Sequence, residues 1–322
     1  MPEPSTEAES LAPMPSSSEG TAEEVRAASP PRAAAQVRLV SHAEMVAPRA
    51  ERLEGGDLAI FSRRCATKET PNEDAAVVIP IATRGVILAI ADGVGGLPQG
   101  EEAARIALRT LVESVLKAPD PSQLRMAIID AIERANRRIL SLGSGAGTTL
   151  AIAQIIEHRL RTYHVGDSEI LVISGGGSIK MQTLAHGPVA YGVHCGLIDP
   201  EEALRHESRN LVSNIVGSKE MRIELGPPVK LAQRDLVLLC SDGITDNLYA
   251  DQIASQVGGK SPSQAAAAIL QTLEKRREQN SKNDFKEDDA TFLLFRRTKE
   301  SISRASREVL PSVPLAPSQP TP

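Results

Sequence analysis

Apolar residues break the middle of the chain into short β-type runs and longer helical stripes. Asp57 to Ser62, Ala75 to Ile79 and Gly85 to Ala91 are short, rich in Ile, Val and Ala, and bounded by turn residues, which predicts three strands. Leu108, Leu111, Val112 and Val115 then recur at i, i+3, i+4 and i+7, and Leu124, Ile128, Ile132, Ala135 and Ile139 keep a second stripe, so two long helices follow. Glu101 and Glu102 fall in the opening turn of the first, where the helix dipole favours negative charge. Strands are predicted over Thr148 to Ile156, Leu160 to Val165, Ile170 to Ser174 and Ile179 to Thr183, with connections so short that only antiparallel hairpins or a meander suit them. An irregular stretch from His186 to about Lys230 carries one helical piece, Pro200 to His206. A strand from Asp235 to Cys240, two helical segments through Arg277 and a last strand from Ala290 to Phe295 complete the pattern. Strands grouped with strands and helices grouped in pairs indicate an α+β layered fold, not a parallel βαβ sheet.

The flanks differ in composition. Residues 1–50 are dominated by Pro, Ala, Glu and Ser with little periodicity, a composition that cannot bury enough surface to offset ordering entropy, so a disordered extension is expected there. The proline-rich segment 299–322 reads as a flexible tail, which leaves 51–298 as the folded domain. With 322 residues, of which 41% are hydrophobic, the chain can bury a real core. An aromatic content of 2% without Trp, together with a net charge of -5, argues against a nucleic-acid partner. The cysteines, Cys65, Cys195 and Cys240, are widely spaced and form neither a disulfide framework nor a zinc motif. No apolar run approaches the roughly 20 residues of a membrane span. A soluble, cytoplasmic, monomeric protein without membrane contact is the expectation.

Candidate chemistry lies in acidic runs at or beside the strand ends. Leu88-Ala89-Ile90-Ala91 leads into Asp92-Gly93-Val94-Gly95-Gly96, and Leu236-Val237-Leu238-Leu239-Cys240 leads through Ser241 into Asp242, with Asp246 one helical turn later. Glu73 and Asp74 precede a strand, as do Asp288 and Asp289, and Asp167 sits between two strands in HVGDSE. Each run alone also reads as a polar turn. Several carboxylates converging without a metal would repel and protonate, so if these runs meet, an oxygen-binding cation is implied. The GSGAGTT segment around Gly145 lacks the Lys of a phosphate-binding loop and follows a helix, so it reads as a helix stop. His164, His186, His194 and His206 show no metal-ligand spacing and read as structural, and Lys275-Arg276-Arg277 reads as a solvated helix face.

The ordered set NEDA, ADGVGG, GTT, GDS, SDGITD and DDAT resembles the metal-dependent protein serine/threonine phosphatases of the 2C type, in their bacterial form, from about Asp57 to Phe295. The order is far more specific than any one motif. The resemblance implies a four-layer α-β-β-α sandwich of two antiparallel sheets flanked by helix pairs, with a flap between the GDS and SDG motifs. It implies two Mn2+ or Mg2+ ions, held by Glu73, Asp92 as bridge, the Gly93 carbonyl, Asp242 and Asp288. Asp74 would orient the attacking water, and Asp167 and Asp246, with Asp242, match positions that can hold a third, weaker ion. Asp74, Asp92 and Asp242 are then the catalytic group. A pair of divalent ions about 3.5–4 Å apart makes a bridging hydroxide available for in-line attack on phosphorus. The substrates would be phosphoserine and phosphothreonine on proteins modified by a Ser/Thr kinase.

Three positions depart from that family's pattern. An Arg that binds substrate phosphate usually precedes NED by a few residues, whereas this chain has Lys68-Glu69-Thr70-Pro71, with Arg63 and Arg64 further upstream. Lys68 or an upstream Arg, Arg64 foremost, would have to bind the phosphate, and a Lys cannot reproduce a bidentate guanidinium. Val94 stands where many relatives outside the bacterial branch have His, and Glu169 replaces a commonly basic residue after GDS. The missing Arg motivates one alternative, a pseudophosphatase that binds phosphoproteins without hydrolysing them.

Overall fold

The β-type runs are buried on both faces because two antiparallel sheets pack against each other and each carries helices on its outer side. The computed structural model describes residues 36–81, 85–118, 120–279 and 285–298. In chain order the strands and helices are β1 (Arg38–Ser41), β2 (Arg49–Leu53), β3 (Gly56–Arg63), β4 (Asp74–Ile81), β5 (Gly85–Asp92), α1 (Gly100–Lys117), α2 (Leu124–Leu140), β6 (Leu150–Ile156), β7 (Arg159–Val165), β8 (Glu169–Ile173) and β9 (Ile179–Gln182). There follow α3 (Pro188–His194), α4 (Pro200–Ala203), β10 (Glu224–Leu225), β11 (Val229–Lys230), β12 (Leu236–Cys240), α5 (Asp242–Thr245), α6 (Ala250–Val257), α7 (Pro262–Gln279) and β13 (Ala290–Arg297). One sheet runs β1-β4-β5-β6-β7, with β10 and β11 both paired to β7; the other runs β2-β3-β13-β12-β8-β9.

Period-2 alternation sorts each strand between two cores. On β4 and β5, Ala76, Val78, Leu88 and Ile90 point to the inter-sheet layer, while Val77, Ile79, Ile87 and Ala89 pack under α1 and α2. On β13, Leu293 and Phe295 face the first sheet, and Phe292 and Leu294 pack under α6 and α7 with Ile253, Ala266 and Ile269. The helical stripes cover these outer faces: Leu108, Leu111, Ile128, Ile132 and Ile139 are buried as their spacing predicts. This is the expected four-layer α-β-β-α arrangement. Among the described residues no helix is long and apolar enough to cross a membrane.

The structure moves several boundaries. The extension expected over 1–50 ends earlier, because β1 pairs with β4 (Arg38↔Val78 to Ser41↔Ala75) and β2 pairs with β3. Edge strands of this kind are held by a backbone ladder more than by apolar side chains, so RLVS and RAERL carry little periodic signal. Residues 1–35 and 299–322 lie outside the described residues. The predicted helix Pro200 to His206 is reduced to α4, and α3 was not anticipated because Pro188 and Gly192 interrupt any helical stripe. Among the described residues three helices, not two, lie between β12 and β13, the extra one being the single turn α5.

The register brings the acidic runs to one end of the sandwich. Asp74 and Asp92 are cross-strand partners at the start of β4 and the end of β5. Cys240 pairs with Phe292 on one side and Glu169 on the other, so the chain leaving β12 toward Asp242, the chain entering β13 from Asp288 and the chain entering β8 from Asp167 emerge side by side. Phe61 and Phe292 stack across β3 and β13 with centroids 5.2 Å apart, buttressing that end. Phe292→Ala should cost about 3–5 kcal/mol of stability, measured by urea unfolding; a loss below 1 kcal/mol would show that the acidic end does not depend on this stack.

Candidate metal centre

Each acidic side chain is placed by a local backbone device. The Gly93 N–H donates to the Glu73 carbonyl (3.1 Å), while the Asp92 carbonyl accepts from the Thr149 N–H and the Thr148 hydroxyl (both 2.8 Å), tying the β5 exit to the GTT segment. Any side chain on Gly93 would meet the backbone of Gly100, and a Cβ on Gly100 would lie 2.6 Å from Glu73 Oε1, so α1 starts directly against the Glu73 carboxylate. A helix N-terminus favours negative charge there. α5 begins at Asp242, and its hydrogen bond from the Asp246 N–H to the Asp242 carbonyl (2.8 Å) puts both carboxylates on one turn. A Cβ on Gly243 would fall 1.9 Å from the Asp289 carbonyl, so only Gly lets this turn press against the β13 entrance.

Burial and mutual repulsion perturb this end strongly. Burial, reinforced by Asp74, Asp242, Asp167 and Asp288, pushes Asp92 well above the carboxylate range. Burial with Asp242 and Asp246 does the same to Asp167. Burial and the Asp289 charge push Asp74 up to about 7, and burial with Asp242 pushes Asp246 up to about 6. Burial also raises Glu73. Asp74 is 1% exposed; its Oδ2 accepts from the Ser241 hydroxyl (2.8 Å), while its Oδ1 has no partner. A buried oxygen left unpaired costs about 1–3 kcal/mol, so its free lone pairs mark a place built for a further group.

Two ammonium groups sit among the carboxylates. Lys68 Nζ lies 2.7 Å from Asp288, 3.4 Å from Glu73 and 3.5 Å from Asp289. Lys286 Nζ lies 2.5 Å from Asp242, 2.7 Å from Asp246 and 3.2 Å from Asp288. Burial works against ionised Asp288, yet Lys286 and Lys68 hold its carboxyl below the usual range. Cations therefore already stand where this cluster needs positive charge. The donor set is all oxygen, which suits Mg2+ or Mn2+ and not zinc, so the residues fit the implied ions.

Glu73, Asp74, Asp92, Asp167, Asp242, Asp246, Asp288 and Lys68 are thus all brought together. The two upstream arginines are not. Arg63 pairs with Glu274 and stacks on Phe61, and Arg64, a candidate for binding substrate phosphate, pairs with Glu44 while donating to the Lys68 carbonyl, so it braces the Lys68 loop. Sequence reading placed Asp289 in an acidic run but gave it no role; it accepts from the backbone N–H groups of Cys65 (2.7 Å) and Glu73 (2.9 Å) and so clamps the Lys68–Glu73 loop to β13. Sequence reading missed Ser241, Asn247 and Lys286. The doubled acid of DDAT was the available signal for Asp289. Beside Asp167, Asp242 and Asp246, a cavity of about 420 Å³ opens under the flap, lined by Val189, Leu204, Leu211 and Tyr249. Glu169 also lines it, bonded to the Gln182 amide (2.6 Å), and burial pushes its carboxyl up to about 7.

A second cluster, His164, His186 and Glu224, has most of its polar atoms paired within the protein, buried His164 Nδ1 being the exception. His186 Nδ1 accepts from the Gly166 N–H and the Asn214 amide (both 3.0 Å), which places its proton on Nε2 facing Glu224 (3.1 Å). His164 donates through Nε2 to the Leu184 carbonyl (3.0 Å), and burial lowers its pKa, keeping the ring neutral. Only one ring nitrogen of the stacked pair is left with a lone pair.

The raised carboxyl pKa values predict proton release on metal binding. Without a cation, Asp74 and Asp246 hold protons up to about pH 7 and 6, above their ordinary 3.8, so the folded chain binds more protons than the unfolded one across that window and loses stability as pH rises through it. Mn2+ should expel those protons at pH 6 and far fewer at pH 8.5, read by titration calorimetry in buffers of different ionisation enthalpy. Equal release at both pH values would contradict the coupling.

Residues 62–281 match the family model for protein phosphatase 2C. A putative protein phosphatase 2C-type from Streptococcus pyogenes is 31% identical over 186 residues, covering 55% of this chain and 75% of the relative. Protein phosphatase PhpP of Streptococcus pneumoniae is 29% identical over 203 residues, covering 61% and 82%. Among solved structures, the serine/threonine phosphatase of S. agalactiae superposes with a TM-score of 0.64 at 23% identity, over 75% of this chain and 99% of its own. The Mycobacterium tuberculosis serine/threonine phosphatase PstP/Ppp gives 0.61 at 26%, over 75% and 98%. A PstP catalytic domain solved with two manganese ions gives 0.59 at 24%, over 75% and 98%. The two sheets, the helix pairs and the ordered acidic motifs agree with these matches, and the chain belongs to the protein phosphatase 2C family.

Proposed function

We propose that this chain is a metal-dependent protein phosphatase that removes phosphate from phosphoserine and phosphothreonine on proteins, and that its domain runs from about residue 36 to 298. The observation that carries this reading is the convergence of Glu73, Asp92, Asp242 and Asp288 at one end of the sandwich, with raised pKa values for Asp92 and Glu73 that a divalent cation would relieve. Glu73, Asp92, the Gly93 carbonyl, Asp242 and Asp288 would hold two Mn2+ or Mg2+ ions. When bound, such ions neutralise phosphoryl oxygens and lower the pKa of water at the site. Relatives named as serine/threonine phosphatases support the substrate class, which would be the products of a Ser/Thr kinase. A cytoplasmic site of action suits the three free cysteines.

The chain's own residues supply orientation and proton handling. Asp74 Oδ1, buried and unpaired while Ser241 fixes Oδ2, is placed to accept a hydrogen bond from the attacking water and to take its proton. Asp289 holds Glu73 in register by capturing its N–H. Lys68, with 27% of its side chain exposed, is the cation that meets substrate phosphate, its loop braced by Arg64.

The decisive assay is Mn2+-dependent phosphate release from a phosphothreonine peptide. Asp92→Asn should lower kcat by more than about 100-fold, beyond the 10–100-fold typical of groups outside the metal's own ligand set. Wild-type turnover in that variant would refute the ligand assignment. Lys68→Ala should raise KM about tenfold, the scale of one charge-assisted hydrogen bond, with a smaller change in kcat. An unchanged KM would remove Lys68 from substrate binding.

A further inference from the structure

Two of the three carboxylates suggested for a third ion, Asp242 and Asp246, hold a side chain of the protein itself, which also reaches Asp288 (3.2 Å). Lys286 Nζ lies 2.5 Å from Asp242 and 2.7 Å from Asp246, and the carboxylates of those two residues and the Lys286 ammonium are the charges felt most strongly at Asp167. We propose that Lys286 is a built-in cation that replaces a third divalent ion, so that this phosphatase operates with two metals where the same carboxylates would otherwise recruit three. The inference rests on the two-metal reading above.

The placement of Lys286 is constructed rather than incidental. Asn247 is fully buried and reads both backbone groups of Lys286: its Oδ1 accepts from the Lys286 N–H and its Nδ2 donates to the Lys286 carbonyl (both 2.9 Å). The same Nδ2 donates to the Gly243 carbonyl (3.1 Å), inside the turn that carries Asp242 and Asp246. One amide therefore locks the lysine backbone to the element bearing its carboxylate partners. Lys68 makes a useful contrast. Its side chain is 27% exposed and stands on a loop, whereas that of Lys286 is 12% exposed and satisfied by three carboxylates. A solvent-facing ammonium can swing out when metal enters at Glu73 and Asp288. Lys286 is the more buried of the two and is anchored through Asn247, and its unit charge repels a divalent ion from Asp242 and Asp246 while the oxygens it does not hold remain for the two-metal pair.

The experiment is Mn2+ binding by equilibrium dialysis and by thermal shift, on wild type, Lys286→Met and Lys286→Gln. Wild type should saturate with two Mn2+, and the variants should take a third, with that site tightened at least tenfold, about 1.4 kcal/mol. Without metal the variants should melt below wild type, having lost the compensating charge, and Mn2+ should raise their Tm by more than it raises that of wild type. A third Mn2+ on wild type with the variants' affinity would overturn the proposal, as would variants that still bind two with an unchanged Mn2+ shift in Tm. If neither variant folds, the wild-type stoichiometry alone decides: two upholds the inference and three overturns it. Wild type that binds no Mn2+ would instead sink the two-metal reading, and this inference with it.

Discussion

Electrostatic repulsion among eight carboxylates at one end of a sandwich is the constraint around which this molecule is organised. Glu73, Asp74, Asp92, Asp167, Asp242, Asp246, Asp288 and Asp289 are drawn together by sheet register, and no such gathering is stable without positive charge or bound protons. The structure answers with both. Lys68 and Lys286 insert ammonium groups, and the least relieved carboxyls, Asp92 and Asp167, move far up in pKa. A site held in this state has a large electrostatic gain to realise when divalent cations enter.

The fold makes that crowding tolerable by rigidity. Two layers of outer helices and an aliphatic inter-sheet core fix the strand ends, and the close approaches at Gly93, Gly100 and Gly243 leave the loops little freedom. Asp289 and Ser241 then act as backbone clamps: one ties the Cys65–Glu73 loop to β13, and the other ties the β12 exit to Asp74 and to the Thr291 N–H. The carboxylates proposed as metal ligands sit on four different strand ends and keep one geometry because neighbouring polar groups hold them, which is how outer partners ordinarily tune a metal site.

Much of this was legible in the order of the motifs. Asp92 and Asp242 follow apolar strands, yet each run alone also reads as a polar turn, and it was the order of the motifs along the chain that implied their convergence. Lys286 could not be read in that way. It lies in a polar run, KNDFKEDD, that resembles any charged turn, and its importance comes from Asn247, nearly forty residues away in sequence. Nor does the proximity of Arg64 to NED in sequence say that its guanidinium turns back to Glu44 and the Lys68 carbonyl. β1 and β2 escaped notice because edge pairing leaves little apolar period, and α3 because its stripe is broken by Pro188 and Gly192.

The central claim is that the acidic end is a two-metal centre with lysines as its internal counter-charges. Anomalous diffraction at the manganese edge, from crystals soaked in Mn2+, tests it most directly. The account predicts two peaks flanking the Asp92 carboxylate, Lys68 withdrawn from Asp288, and Lys286 unmoved between Asp242 and Asp246. No peak among these carboxylates, with both lysines still in place, would contradict it.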